Sequence, residues 1–299
     1  MAEMEFTRKV AARVAIGTAQ FGSPYGVANT TGQVSSEEVR RILNVARAAG
    51  VRTLDTAVEY GSSETALGQV GVANFDVITK VPAVPAGERD VTGWIERQVV
   101  GSMARLGVRQ LEGVLLHRAS DLLGEQGGKV YRALTVVKAR GFVRKIGASG
   151  YGPSELTAIT EKHALDLVQL PLNVFDRRAI NSGLLVLLAS RQVEIHVRSV
   201  FLQGLLTLPK ERRPRYFTRW APLFAHWHDW LCETGLTPLE AALRFVLAVP
   251  EVSRIVLGFD AVNQLSEVLE AAEGPLPNVP SEMQSDDEAL INPSFWVPS

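Results

Sequence analysis

Four side chains in this sequence have the types and order to do chemistry together: Asp55, Tyr60, Lys80 and His117. A free phenol titrates near pH ~10, too high for efficient proton exchange at neutral pH. An ammonium beside it favours the phenolate and lowers that value. A buried lysine alone tends to shed its proton, and a carboxylate such as Asp55 holds it charged. A histidine facing the phenol can donate a hydrogen bond to a carbonyl oxygen. The four then form a proton relay aimed at a carbonyl that gains negative charge, which is what hydride transfer to an aldehyde or ketone requires. Each residue alone has a plainer reading: a buried ion pair, a rim histidine, a loop tyrosine before Gly61. Their order at successive strand ends argues for chemistry.

That argument needs elements that bring the four to one place. Short β-rich runs alternate with helical patterns from end to end. The runs are Arg13–Thr18, Val51–Thr56, Phe75–Val81, Leu111–His117, Val143–Ser149, Leu165–Leu170, Val193–Val200 and Ser253–Gly258. Several are near-continuously apolar, as buried parallel strands are. Ser35-Ser36-Glu37-Glu38 opens a helix that Gly50 ends, and Pro153 and Thr237-Pro238 open two more. Eight strand–helix units over roughly 250 residues predict a (β/α)8 TIM barrel in a single domain. A doubly wound open sheet would want G-x-G-x-x-G after its first strand, and Gly17 to Gly22 has the wrong spacing. In a barrel the C-terminal strand ends share one rim. Asp55 and Lys80 end strands two and three, His117 ends strand four, and Tyr60 follows Asp55. We divide the chain into a barrel over 1–274 and a Pro-rich tail over 275–299 that packs on it.

These residues carry a resemblance. Gly17-Thr18-Ala19, Leu54-Asp55-Thr56-Ala57-Val58-Glu59-Tyr60-Gly61 with Glu64, Thr79-Lys80, Leu116-His117, Lys145-Ile146-Gly147-Ala148-Ser149, Val168-Gln169 with Asn173, and Gly204-Leu205-Leu206 resemble the aldo-keto reductases in order and spacing. The resemblance implies a nicotinamide-dependent oxidoreductase that reduces small, possibly sugar-derived aldehydes or ketones. It implies Tyr60 as general acid and base, Lys80 and Asp55 as its tuning pair, and His117 as the group that orients the carbonyl. It also implies a cofactor held by Gly17, Thr18, Ser149, Gln169, Arg198, Gly258 and Gln264, with Ser149 and Gln169 on the nicotinamide amide.

Three departures accompany it. Gly150 stands where the family commonly has asparagine. Arg198 stands where many members stack a tyrosine on the nicotinamide; a guanidinium plane can stack too, or it can pair with a rim carboxylate. Gly258 and Gln264 stand where many members hold the 2′-phosphate of NADP with a lysine and an arginine. The expectation is NADP(H), with NAD(H) possible, and with the Lys210–Arg215 run either supplying charge to a phosphate or lying in solvent. Two readings compete with the reductase: an NAD-preferring sugar or polyol dehydrogenase, and a cofactor-binding regulatory barrel with little turnover.

A net charge of -1 gives no reason to expect nucleic acid or an anionic membrane as partner. No apolar run approaches a membrane span, and no metal is expected. The single cysteine, Cys232, excludes an internal disulfide and reads as a small buried hydrophobe. His226 and His228, two apart on a helix, face different ways. Phe295 and Trp296 either pack the tail or line the pocket. The expected protein is a cytoplasmic monomer acting on a small carbonyl compound.

Overall fold

A computed structural model describes residues 2–296, with the backbone alone for residues 2–7. All eight expected strands form, at lengths of three to seven residues: β1 Val14–Gly17, β2 Thr53–Asp55, β3 Asp76–Val81, β4 Leu111–Leu116, β5 Val143–Ser149, β6 Leu167–Pro171, β7 Glu194–Arg198 and β8 Arg254–Gly258. Each pairs in parallel with the next, and β8 closes on β1 with Val14 opposite Ile255 and Gly17 opposite Gly258. The fold is therefore a closed (β/α)8 barrel.

Alternation along each strand separates two environments. Residues such as Leu54, Val77, Val114, Val168 and Ile195 belong to the large apolar shell shared with the helices. Ile78, Leu115 and Leu167 form a small separate cluster inside the barrel. Toward the N-terminal ends of the strands the interior turns polar. Lys145 bridges Glu112 at 2.8 Å and Glu194 at 2.5 Å, and the buried His196 lies 2.9 Å from Glu194.

The helix boundaries follow local chemistry. The Ser35 hydroxyl accepts from Glu38 N at 3.3 Å and Gly50 takes the left-handed C-cap, bounding the helix Ser36–Ala49. Thr237 and Glu240 close a reciprocal capping box on Pro238–Leu247. One helix was not expected: Ala2–Arg13 precedes β1, and Arg13, expected in the strand, ends it. Its guanidinium donates to the carbonyls of Leu247, Val249 and Val252, so long-range bonds rather than local pattern place it.

After β7 the chain runs through short 3-10 turns into the helix Ala221–Thr234. Phe175, Phe224, Trp227 and the tail residues Met283, Leu290 and Ile291 share a second apolar cluster there. Trp296 joins it edge-on to Phe217 at 4.8 Å, while Phe295 is exposed. Neither lines the cavity described below. Cys232 is exposed, not buried as expected. Trp227, Trp230 and Leu231 take the inner face of its helix, and position 232 turns outward. Among the described residues no helix is long and apolar enough to cross a membrane.

Candidate active site

Parallel closure puts every strand's C-terminal end on one rim, and four side chains converge there. Lys80 Nζ donates to Asp55 Oδ1 at 2.5 Å, to the Thr56 carbonyl at 3.1 Å and to the Tyr60 hydroxyl at 3.4 Å. Lys80 is 1% and Asp55 2% exposed, so this ion pair is desolvated on both sides. Gln169 Nε2 donates to the second Asp55 oxygen at 2.7 Å. Both carboxylate oxygens are thus satisfied, as a buried charge requires.

Backbone geometry places Tyr60. Val58 N donates to the Lys80 carbonyl, Tyr60 N to Ala57 O, and Ser63 N to Tyr60 O, folding the loop back over β3. Ser63 Oγ ties that loop to Thr18 through the Thr18 carbonyl and hydroxyl. Two glycines make the close approach possible. A Cβ on Gly22 would run into the Tyr60 carbonyl, and Gly61, at φ +54, would press a Cβ onto the Gly22 carbonyl.

The electrostatics differ from the expectation in one respect. The nearby ammonium was expected to acidify Tyr60. Burial outweighs it and pushes the Tyr60 hydroxyl up, Asp55 adds to that, and Arg198 pulls it down. Tyr60 is therefore a neutral phenol at neutral pH, suited to give a proton. Burial also pulls Lys80 below its ordinary value, against the opposing pull of Asp55. His117 follows β4 and meets Tyr60 edge-on at 5.7 Å between ring centroids. Its Nδ1 lies 2.6 Å from a Glu59 carboxylate oxygen, but without the alignment of a hydrogen bond. Burial and Lys80 lower the His117 pKa, and Glu59 raises it.

One cavity of about 430 Å³ opens beside these residues. Asp55 and Tyr60 line it, as do Gly17, Thr18, Arg198, Gly258 and Gln264 from the expected cofactor set. Ser149 and Gln169 do not. Ser149 Oγ donates to Gln169 Oε1 at 3.2 Å, so their polar groups are turned to each other and to Asp55. Arg198 meets no rim carboxylate among the described residues. It lies 4.1 Å over the Tyr151 ring and donates to Gly150 O and Ser199 Oγ. Asn173 caps a turn, accepting from Phe175 N and Asp176 N. The Lys210–Arg215 run does not reach the cavity: Arg213 stacks on Phe224 at 3.8 Å, and Lys210, Arg212 and Arg215 are exposed.

The structure adds side chains the sequence reading passed over: Glu59 beside His117, Tyr151 under Arg198, and Gln20, Asp260 and Glu267 in the cavity wall. Glu59 stands inside the segment around Tyr60, and its acid type was the signal that could have paired it with His117. Tyr151 and Asp260 carry no local signal, because their partners Arg198 and Asn29 lie far away in sequence.

Comparison with known proteins agrees with this picture. The sequence profile described as the aldo/keto reductase family matches residues 13–288. YqkF of Bacillus subtilis, named as an uncharacterized oxidoreductase, is 24% identical over 251 residues, covering 77% of this chain and 81% of that protein. The aldo-keto reductase str7 of Strobilurus tenacellus is 27% identical over 206 residues, covering 65% of this chain and 61% of that one. Among solved structures, the holo form of the aldo-keto reductase AKR11C1 from Bacillus halodurans aligns with a TM-score of 0.71 at 20% identity, over 91% of this chain and 89% of that chain. At that identity the likeness bears on the fold alone.

Proposed function

The chain belongs to the aldo/keto reductase family and is an oxidoreductase of that family; from that premise we propose that it reduces small aldehydes or ketones, sugar-derived ones among them, with Tyr60 as general acid. The observation that carries this reading is Lys80 Nζ, which bridges the buried Asp55 and the Tyr60 hydroxyl at the mouth of the cavity.

A bound nicotinamide dinucleotide supplies the hydride. The chain fits such a ligand: a single cavity joins Tyr60 to the helix after β8, with Gly17, Gly204 and Gly258 in its wall. On Gly258 a Cβ would press on the Gln20 amide, which would have to swing aside. Thr18, Arg198 and Gln264 are the polar residues placed to hold the dinucleotide. Ser149 and Gln169 serve it only if their hydrogen bonds rearrange; otherwise they orient Asp55.

The proton side follows from the residues alone. As the carbonyl oxygen gains charge, the Tyr60 hydroxyl donates its proton to that oxygen. Lys80, held charged by Asp55, stabilises the phenolate left behind. His117 donates a second hydrogen bond to the same oxygen, with the Glu59 carboxylate beside its Nδ1. We read the working unit as a cytoplasmic monomer, and a sole cysteine suits a reducing compartment. The dehydrogenase reading keeps one observation in its favour: Gly258 and Gln264 bring no cation to the far end of the cavity.

The direct test follows nicotinamide absorbance with NADH or NADPH and a panel of sugar and aromatic aldehydes. Cofactor is consumed with at least one carbonyl under the proposal; consumption with none of them overturns it. The loop geometry gives a second expectation. Gly22→Ala pushes the Tyr60 carbonyl away, and a misplacement of about 1 Å costs about 10²-fold in turnover. The overpacking costs about 1–3 kcal/mol, read as a lower urea midpoint. Unchanged kcat in a folded Gly22→Ala protein would show that the loop does not hold Tyr60 in register.

A further inference from the structure

From the charges at the far end of the cavity we infer that the groove selects the unphosphorylated dinucleotide, NAD(H), and that Asp260 and Glu267 set the choice. This rests on the proposed function and refines its cofactor.

A dinucleotide with its nicotinamide at Tyr60 would extend along the cavity toward the opposite wall, built from the end of β8 and the helix Val262–Ala271. The cavity's one cationic lining residue, Arg198, stands at the reacting end, engaged with Tyr151 and Gly150. The opposite wall carries Asp260 and Glu267 instead. Neither carboxylate makes an ion pair among the described residues. Asp260 accepts from Asn29 Nδ2 at 3.1 Å, and Glu267 from Asn263 Nδ2 at 2.8 Å.

Two backbone donors at that wall, Asp260 N and Val262 N, are also taken. A helix N-terminus attracts phosphate through its free N–H groups and its dipole. Here a Glu38 carboxylate oxygen accepts from Val262 N at 2.6 Å and occupies that position. Gln264 Oε1 accepts from Asp260 N at 2.7 Å, so this amide oxygen is committed as well. Two carboxylates, Asp260 and Glu267, thus line the wall that a 2′-phosphate, carrying a charge of about −1.5 to −2, would have to approach, while Glu38 is itself paired with Arg41 at 3.1 Å. A ribose 2′,3′-diol is the opposite case. Its hydroxyls are donors, and carboxylates accept them in charge-assisted bonds.

Equilibrium titration by tryptophan fluorescence, with NADH and with NADPH, tests the inference without reference to turnover. NADH is expected to bind about ten-fold or more tighter at low salt. The gap should narrow at high salt, because the repulsion is screened. Asp260→Asn and Glu267→Gln keep shape and remove charge, and each should narrow the gap by strengthening NADPH. NADPH binding as tightly as NADH to the unaltered protein overturns the inference while leaving the proposed function standing. A ratio unmoved by either substitution overturns the roles of Asp260 and Glu267. Binding of neither nucleotide overturns the proposed function, and this inference with it.

Discussion

Tyr60→Phe is expected to lower kcat for carbonyl reduction by about 10²–10⁴-fold, the range a positioned proton donor supplies, while cofactor binding survives. The substitution removes one oxygen and little else. The ring keeps its edge contact with His117, and the loop keeps its backbone bonds to Ala57 and Ser63. Lys80 loses its longest bond, at 3.4 Å, and retains Asp55 and Thr56. The pH dependence carries a sign. Burial and Asp55 raise the Tyr60 hydroxyl above its ordinary value, so the donor stays protonated through neutral pH. The limb of the reduction profile that reports it should fall on the alkaline side of about 10. Unaltered turnover in Tyr60→Phe, or a Tyr60-dependent limb near neutrality, would remove Tyr60 from the role of acid.

Lys80→Met should cost stability as well as activity. Asp55 is 2% exposed and would be left with Gln169 as its side-chain partner. An uncompensated buried charge costs about 3–5 kcal/mol. The loss reads directly as a lower urea midpoint at unchanged slope. Adding Asp55→Asn should return part of it, because the charge that was stranded is gone. The pH dependence follows from linkage. Lys80 has a folded-state pKa below its ordinary 10.5. Between those two values the unfolded chain binds more protons than the folded one, so stability rises with pH across that window. In Lys80→Met that rise should disappear. A variant as stable as the parent would mean the pair is not the buried, mutually dependent unit its distances describe.

Much of this was legible before any coordinates. The eight strands announced themselves as apolar runs of the right length, and ionisable residues at the ends of three of them marked the rim. Asp55, Tyr60 and Lys80 meet as their order required, because parallel closure leaves strand ends nowhere else to go. The segment around Tyr60 also contained Glu59 in plain view; what was missing was that the loop turns its carboxylate toward His117, 58 residues later in the count from 59 to 117.

Other features had no local trace. Gln169, expected on a cofactor amide, turns to Asp55 across 114 residues of sequence, because a buried carboxylate needs a donor on each oxygen. Arg198 finds the face of Tyr151. Glu38 reaches the helix N-terminus at Val262 across 224 residues. Periodicity and residue type were enough to read the barrel, its rim and the candidate residues on that rim. The surroundings of those residues and the sign of the cavity's far wall came only with folding. Acidity and ligand charge respond to burial and to the neighbours folding supplies, and no spacing along the chain records those.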